Sequence, residues 1–291
     1  MARVVDRSKR FDRAAQDVGN IVALEHVNVR VPSQQLATAF YVVGLGLTRD
    51  PYLMVGLDNM WINIGQQQFH LPTGAPQVVR GRVGLVLPDL DALLARLAEV
   101  KGTLAGTAFG YAMEDGAVAV TCPWGNRLRC HAPAAEFGDM TLGMAYVEFD
   151  VPRGSAAGIA RFYERVMKAP ARLAATGADR MARVRAGRGQ ELIFREVDRP
   201  AEYDGHHIAI YIADFSGPHR YLAERDLVTE ESDPYQYRFE RIVDPDTGET
   251  LFVVEHEVRS LTHPMYARPL VNRNPSQRQR TYVRGRDAFA G

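Results

Sequence analysis

The stretch LEHVNVRVP, residues 24–32, alternates apolar and polar side chains and stops at a proline, the pattern of a strand with one packed and one open face. It comes back three times, as GRVGLVLPD at 81–89, GMAYVEFDVP at 143–152 and GHHIAIYIAD at 205–214. Matched on their proline or acidic ends, the four stretches put His26, Arg82, Tyr146 and His207 in one column, spaced 56, 64 and 61 residues. Recurrence at near-constant spacing marks one supersecondary unit used four times.

The segments after these strands repeat in pairs. After Pro32 comes SQQLATAFYVVGLGLT and after Pro152 comes RGSAAGIARFYERVMKAPARL, both with helical period and a Phe-Tyr pair, Phe40-Tyr41 and Phe162-Tyr163. Units two and four carry LDALLARLAEVKG and FSGPHRYLAERDLV, and each ends in a hairpin, TCPWGNRLRCHAP or DPDTGETLFVVEHEV. The chain is expected to divide into an N-terminal tail at 1–20, units one and two at 21–135, units three and four at 136–258, and an extended C-terminal arm at 259–291.

A βαβββ unit used four times, with the Phe-Tyr helix end in odd units and a Pro-x-Gly-like hairpin in even ones, lengthened by one residue in unit four, resembles the vicinal oxygen chelate superfamily. That superfamily includes glyoxalases, bleomycin-resistance proteins and extradiol ring-cleaving dioxygenases. The resemblance covers roughly residues 21–258 and implies an α+β fold in which four βαβββ modules form two cup-shaped half-barrels. Four units in one chain look more like the dioxygenases than like a two-unit glyoxalase subunit.

The resemblance also implies that metal ligands come from the first and last strands of a unit. Unit one has His26 and His70 at those places, and unit four has His207 and Glu255. Unit two has Arg82 and Arg129, and unit three has Tyr146 and Ile193. Arginine has no lone pair for a metal, so ligands meet in one cup only if unit one pairs with unit four and unit two with unit three. Read this way, His26, His207 and Glu255 are metal ligands, and His70 is a fourth ligand or the acid/base group. The register of the last strand leaves Phe252 and His256 as the alternative occupants of the face assigned to Glu255. The donors suit a divalent ion, Fe(II) or Mn(II) ahead of Zn(II) or Ni(II). Dioxygenase chemistry on a small oxygenated substrate is the first expectation, glyoxalase-like isomerase or lyase chemistry the second, and a metal-free small-molecule-binding protein the third. Arg82 and Arg129, with His131, suit an anionic substrate group. His206, next to His207, points to the opposite strand face.

Composition excludes other classes. Of 291 residues 46% are hydrophobic, and 35 basic side chains balance 35 acidic ones, so no overall field favours nucleic acid or a membrane surface. No apolar run reaches the ~20 residues of a membrane span, and the start lacks a signal-peptide pattern, so a cytoplasmic protein is expected. Lysine occurs only three times among the 35 basic residues, a bias read as bacterial. Cys122 and Cys130 read as reduced and buried. The arm, with prolines at 264, 269 and 275 and a basic end, is expected to pack across a domain surface or a second subunit in a homodimer.

Overall fold

A computed structural model of the chain describes residues 12–53, 58–177 and 179–274. The described residues follow the βαβββ order four times. Unit one has β1 (Ile21–Asn28), α1 (Gln34–Ala37) running on as a π-helical turn (Thr38–Gly44), β2 (Thr48–Arg49), β3 (Asn59–Ile64) and β4 (Gln67–Pro72). Unit two has β5 (Gly81–Val86), α2 (Leu90–Val100), β6 (Gly110–Glu114), β7 (Ala117–Thr121) and β8 (Arg127–His131). Unit three has β9 (Gly143–Pro152), α3 (Ala156–Arg165), β10 (Ala171–Thr176), β11 (Asp179–Arg185) and β12 (Glu191–Val197). Unit four has β13 (His207–Ile212), α4 (Ser216–Ala223), β14 (Val228–Asp233), β15 (Gln236–Val243) and β16 (Thr250–Ser260).

Local chemistry starts and aims the helices. The Ser33 side chain accepts from Leu36 N at the head of α1, and Asp89 accepts from Ala92 N at the head of α2, each satisfying an orphan helix donor. Leu93, Leu97 and Val100 bury one face of α2, and Phe40, Tyr41, Phe162 and Tyr163 are all buried. The repeated Phe-Tyr pair is therefore a packing element.

Two eight-stranded mixed sheets result. One runs β14-β15-β16-β13-β1-β4-β3-β2 and the other β10-β11-β12-β9-β5-β8-β7-β6. Unit one is joined to unit four through the antiparallel β1–β13 pair, and unit two to unit three through β5–β9. This is the non-sequential pairing that the distribution of histidines implies. Residues 21–135 and 136–258 thus each give one unit to each sheet. Helix α2 packs against the π-helical turn of unit one, and α3 against β15 and β16. The sheets therefore share one apolar core, which contains the buried faces of all four units.

Both cysteines are free and buried, as expected. No helix among the described residues is long and apolar enough to cross a membrane. The arm up to Asn274 folds back on units one and four: Asn63 Nδ2 donates to Val271 O, and Gly65 and Asn272 exchange two hydrogen bonds. Its remainder, 275–291, and residues 1–11 of the N-terminal tail lie outside the described residues.

Candidate metal centre

The two inter-unit ladders obey one two-fold pattern. In the first, His26 faces Ala209 and Asn28 faces His207; in the second, Arg82 faces Glu148 and Gly84 faces Tyr146. His26 and His207 are thus two-fold mates, as are Arg82 and Tyr146, which is the column read from the repeats. The ladders to the last strands carry the pattern on. His70 in β4 faces Asn28, and Glu257 in β16 faces Ala209, so Glu257 is the mate of His70. Glu255 faces His207 itself, two residues earlier on the same strand face.

The cup of units one and four gathers three imidazoles. One ring nitrogen from each of His26, His70 and His207 lies within 4.8 Å of the other two. His26 and His207 approach through their Nε2 atoms at 3.4 Å, close enough for both to reach one ion at ~2.1 Å from each. Their far sides are held by carboxylates. His26 Nδ1 pairs with Glu25 Oε2, and His207 Nδ1 lies 3.1 Å from Glu255 Oε1. Carboxylates offer only acceptors, so both rings donate from Nδ1 and turn Nε2 toward the centre, the outer contact that orients metal-binding histidines.

His70 stands directly across from Trp61 and stacks on it at 3.9 Å with 12° between the planes. Its Nε2 is buried and has no hydrogen-bond partner, a cost that a ligand at this point removes. Burial holds His26 well below the ordinary imidazole pKa, and burial with the neighbouring His26 and His207 pushes His70 down to about 2. Both rings are therefore neutral near pH 7, with lone pairs to give.

Glu257, 3% exposed, reaches within 3.5 Å of His207 Nε2. Burial pushes its pKa up, but His26, Arg259, Arg238 and His207 outweigh this and hold it below the usual carboxylate range. Arg238 donates to Glu255 and to Glu257, 2.6 Å each, and Arg259 joins Glu257 to Glu25. A first-row divalent ion fits this donor set: three imidazoles, a buried carboxylate and an orphaned ring nitrogen.

The sequence-derived residues are thus divided. His26, His70 and His207 come together, while Glu255 is turned to His207 Nδ1, and Glu257 holds the position nearer the cluster. His256, the register alternative, points away into the core, where Tyr163 OH meets its Nε2 at 2.6 Å and Phe239 stacks on it. Phe252 is on that same core-facing side, against Phe149 and Phe194. His206 also turns away, bonded to Asp204. Arg82 pairs with Glu148 at 2.9 Å in the other cup. Arg129 turns its guanidinium to Glu114 O and Asp115 at a hairpin, and its charge, like that of Arg82, acts on His131 and Tyr146 of that cup.

Glu257 and Arg259 were legible as the period-two continuation of Glu255. Glu25 was not, because strict alternation sends it away from His26. A bulge between Leu24 and His26 turns it back.

No family model matches the sequence, and no curated protein matches it. Among solved structures, glyoxalase I from Zea mays is similar with a TM-score of 0.60 at 13% identity, over 82% of this chain and 92% of that one. A "putative dioxygenase" from Bacillus subtilis is similar with a TM-score of 0.56 at 18% identity, over 84% of this chain and 87% of that one. The chain has the fold of the vicinal oxygen chelate superfamily.

Proposed function

We propose that the cup of units one and four binds a divalent first-row metal ion through His26, His70, His207 and Glu257, and that the protein is an isomerase or lyase acting on a small substrate with two adjacent oxygens. The convergence of three histidine nitrogens within 4.8 Å carries this reading. A divalent ion bound there supplies Lewis acidity, polarising a carbonyl or enol oxygen of the substrate. Four protein donors leave two places in a six-coordinate site, enough for two vicinal oxygens. Ring cleavage with dioxygen calls for a third, which is why isomerase or lyase chemistry is preferred here to the dioxygenase expectation.

The chain's own residues have distinct tasks. Glu25 and Glu255 fix the tautomer and orientation of His26 and His207. Arg238 and Arg259 hold the carboxylates in place; Glu255 and Glu257 stay below the usual carboxylate range, whereas burial raises Glu25 in spite of Arg259. Trp61 locks His70 flat and walls the cup with an apolar ring. Arg268 of the arm reaches back to Asp50 at 2.8 Å, which keeps the arm over this end of the sheet.

Elemental analysis of protein purified without chelator or affinity metal is the test, with His26→Ala, His70→Ala and His207→Ala beside it. The expected result is about one ion per chain, lost in each variant, with turnover of an α-hydroxycarbonyl or α-oxoaldehyde substrate and no oxygen uptake. Oxygen uptake with a catechol would replace this reading by the dioxygenase one. Failure to retain any first-row ion after reconstitution refutes metal dependence and leaves small-molecule binding.

A further inference from the structure

The cup of units two and three has the two-fold geometry of the first with its ligand positions replaced. Arg82 and Tyr146 stand where His26 and His207 do. This cup encloses a cavity of about 460 Å³, within the range of small-molecule sites. Part of its wall is apolar, from Phe137, Ala145 and Ile193, and the rest carries four arginines and three glutamates beside neutral polar groups. Gly84 makes room for the Tyr146 ring, because a Cβ there would lie 2.1 Å from it. Tyr146 OH in turn is 3.0 Å from His131 Nε2.

Charge decides what such a cavity holds. Two of its carboxylates are each met by two guanidinium groups, Glu148 by Arg82 and Arg195, and Glu191 by Arg183 and Arg172. Arg185, also in the wall, donates to a backbone carbonyl, Asp17 O, which leaves its charge uncompensated by any carboxylate contact among the described residues. Arg82 keeps a buried Nε without a partner. The wall itself holds four arginines, Arg82, Arg183, Arg185 and Arg188, against three glutamates, Glu136, Glu148 and Glu191, an excess of one cation, and an apolar surface lies next to it.

We propose that the second cup is a binding site for a small organic carboxylate, its carboxylate on Arg82 and Arg185 and its hydrocarbon body against Phe137, Ala145 and Ile193. Arginine matches a carboxylate in planar, two-point fashion, and the apolar wall adds area that a bare inorganic anion cannot use. This site is independent of the metal proposed for the first cup.

Titration calorimetry of the full chain with 2-naphthoate tests it. The expected result is one site per chain with Kd at or below about 1 mM. Arg82→Gln and Arg185→Gln each weaken it about tenfold or more. The neutral 2-naphthamide is weaker by a similar factor, Ile193→Trp fills the cavity and abolishes binding, and His26→Ala changes nothing. Circular dichroism checks each variant, and Arg185→Gln, at a partly exposed position, serves if Arg82→Gln fails to fold. No binding at 10 mM, equal affinity for acid and amide, or equal affinity for inorganic phosphate overturns the proposal. So does binding lost in His26→Ala but kept in Arg82→Gln, which would put the naphthoate in the first cup.

Discussion

Arg259→Met removes the guanidinium that stands between two buried carboxylates beside the imidazole cluster. Arg259 is 5% exposed, Glu25 8% and Glu257 3%. Its Nη1 lies 3.0 Å from Glu25 Oε2, and its Nη2 pairs with Glu257 Oε1. At an effective dielectric of about 20, a charge pair at 3.0 Å is worth about 5.5 kcal/mol before desolvation. Breaking a buried pair on one side costs about 3–5 kcal/mol, because the abandoned charge stays in place. Arg238 still serves Glu257, so Glu25 bears most of the loss. The expected destabilisation is about 3–5 kcal/mol at pH 7, a fall in Tm of roughly 6–10 °C at about 2 °C per kcal/mol for a chain of this size. The cost shrinks toward pH 5, because carboxylates left without a cation take up protons more readily in the folded state. Thermal unfolding at several pH values measures this, and adding Glu25→Gln to Arg259→Met is expected to recover at least about 1 kcal/mol through coupling between neighbours. A loss below about 1 kcal/mol at pH 7, or no recovery in the double variant, refutes the view that the guanidinium holds this cluster together.

Three other outcomes are expected. Burial holds His256 down to about 4, so the unfolded chain binds a proton below pH 6.5 that the folded one refuses; stability falls as pH drops from 6.5 toward 4, by about 1.4 kcal/mol per unit, and pH-dependent urea unfolding of His256→Phe shows a shallower slope with metal content unchanged. Gly84→Ala is expected to cost about 1–3 kcal/mol, because its Cβ would meet the Tyr146 ring at 2.1 Å, and Tyr146→Ala in the same chain restores most of it in denaturant unfolding, whereas Tyr146→Phe, which keeps the ring, does not. Arg268→Ala leaves Asp50, with a fully buried side chain, without its arm partner and costs about 1–3 kcal/mol; limited proteolysis is expected to cut within 260–274 sooner than in the unaltered protein.

The repeat, the secondary structure and the column of four first-strand residues were legible because they rest on local signals: alternation, helical period, caps and turn residues within each unit of about 60 residues. The identity of that column alone implied that His26 and His207 need the same cup, since arginine at the unit-two positions donates no lone pair. Local pattern is silent on what joins the units. The β1–β13 ladder brings together segments 181 residues apart at His26 and His207, and any of the four first strands offers a similar edge to the others. Only the shared core selects the partner.

The tertiary structure also decided the carboxylate. The sequence points to Glu255, with Phe252 and His256 as the register alternatives, and does not single out Glu257, two residues on along the same face. The β13–β16 register set Glu257 as the mate of His70 and sent Glu255 behind His207. Glu25 entered the site through a bulge, which breaks the very periodicity that a reading along the chain relies on. The arm carries no period at all, and its place over units one and four depends on partners such as Asp50, Asn63 and Gly65, about 200 residues earlier in the chain. What the sequence determined by itself was therefore the repeated unit and the kinds of donor it carries. Which carboxylate joins the three histidines was decided by long-range strand pairing, because the register between distant strands leaves no trace in the local pattern of either one.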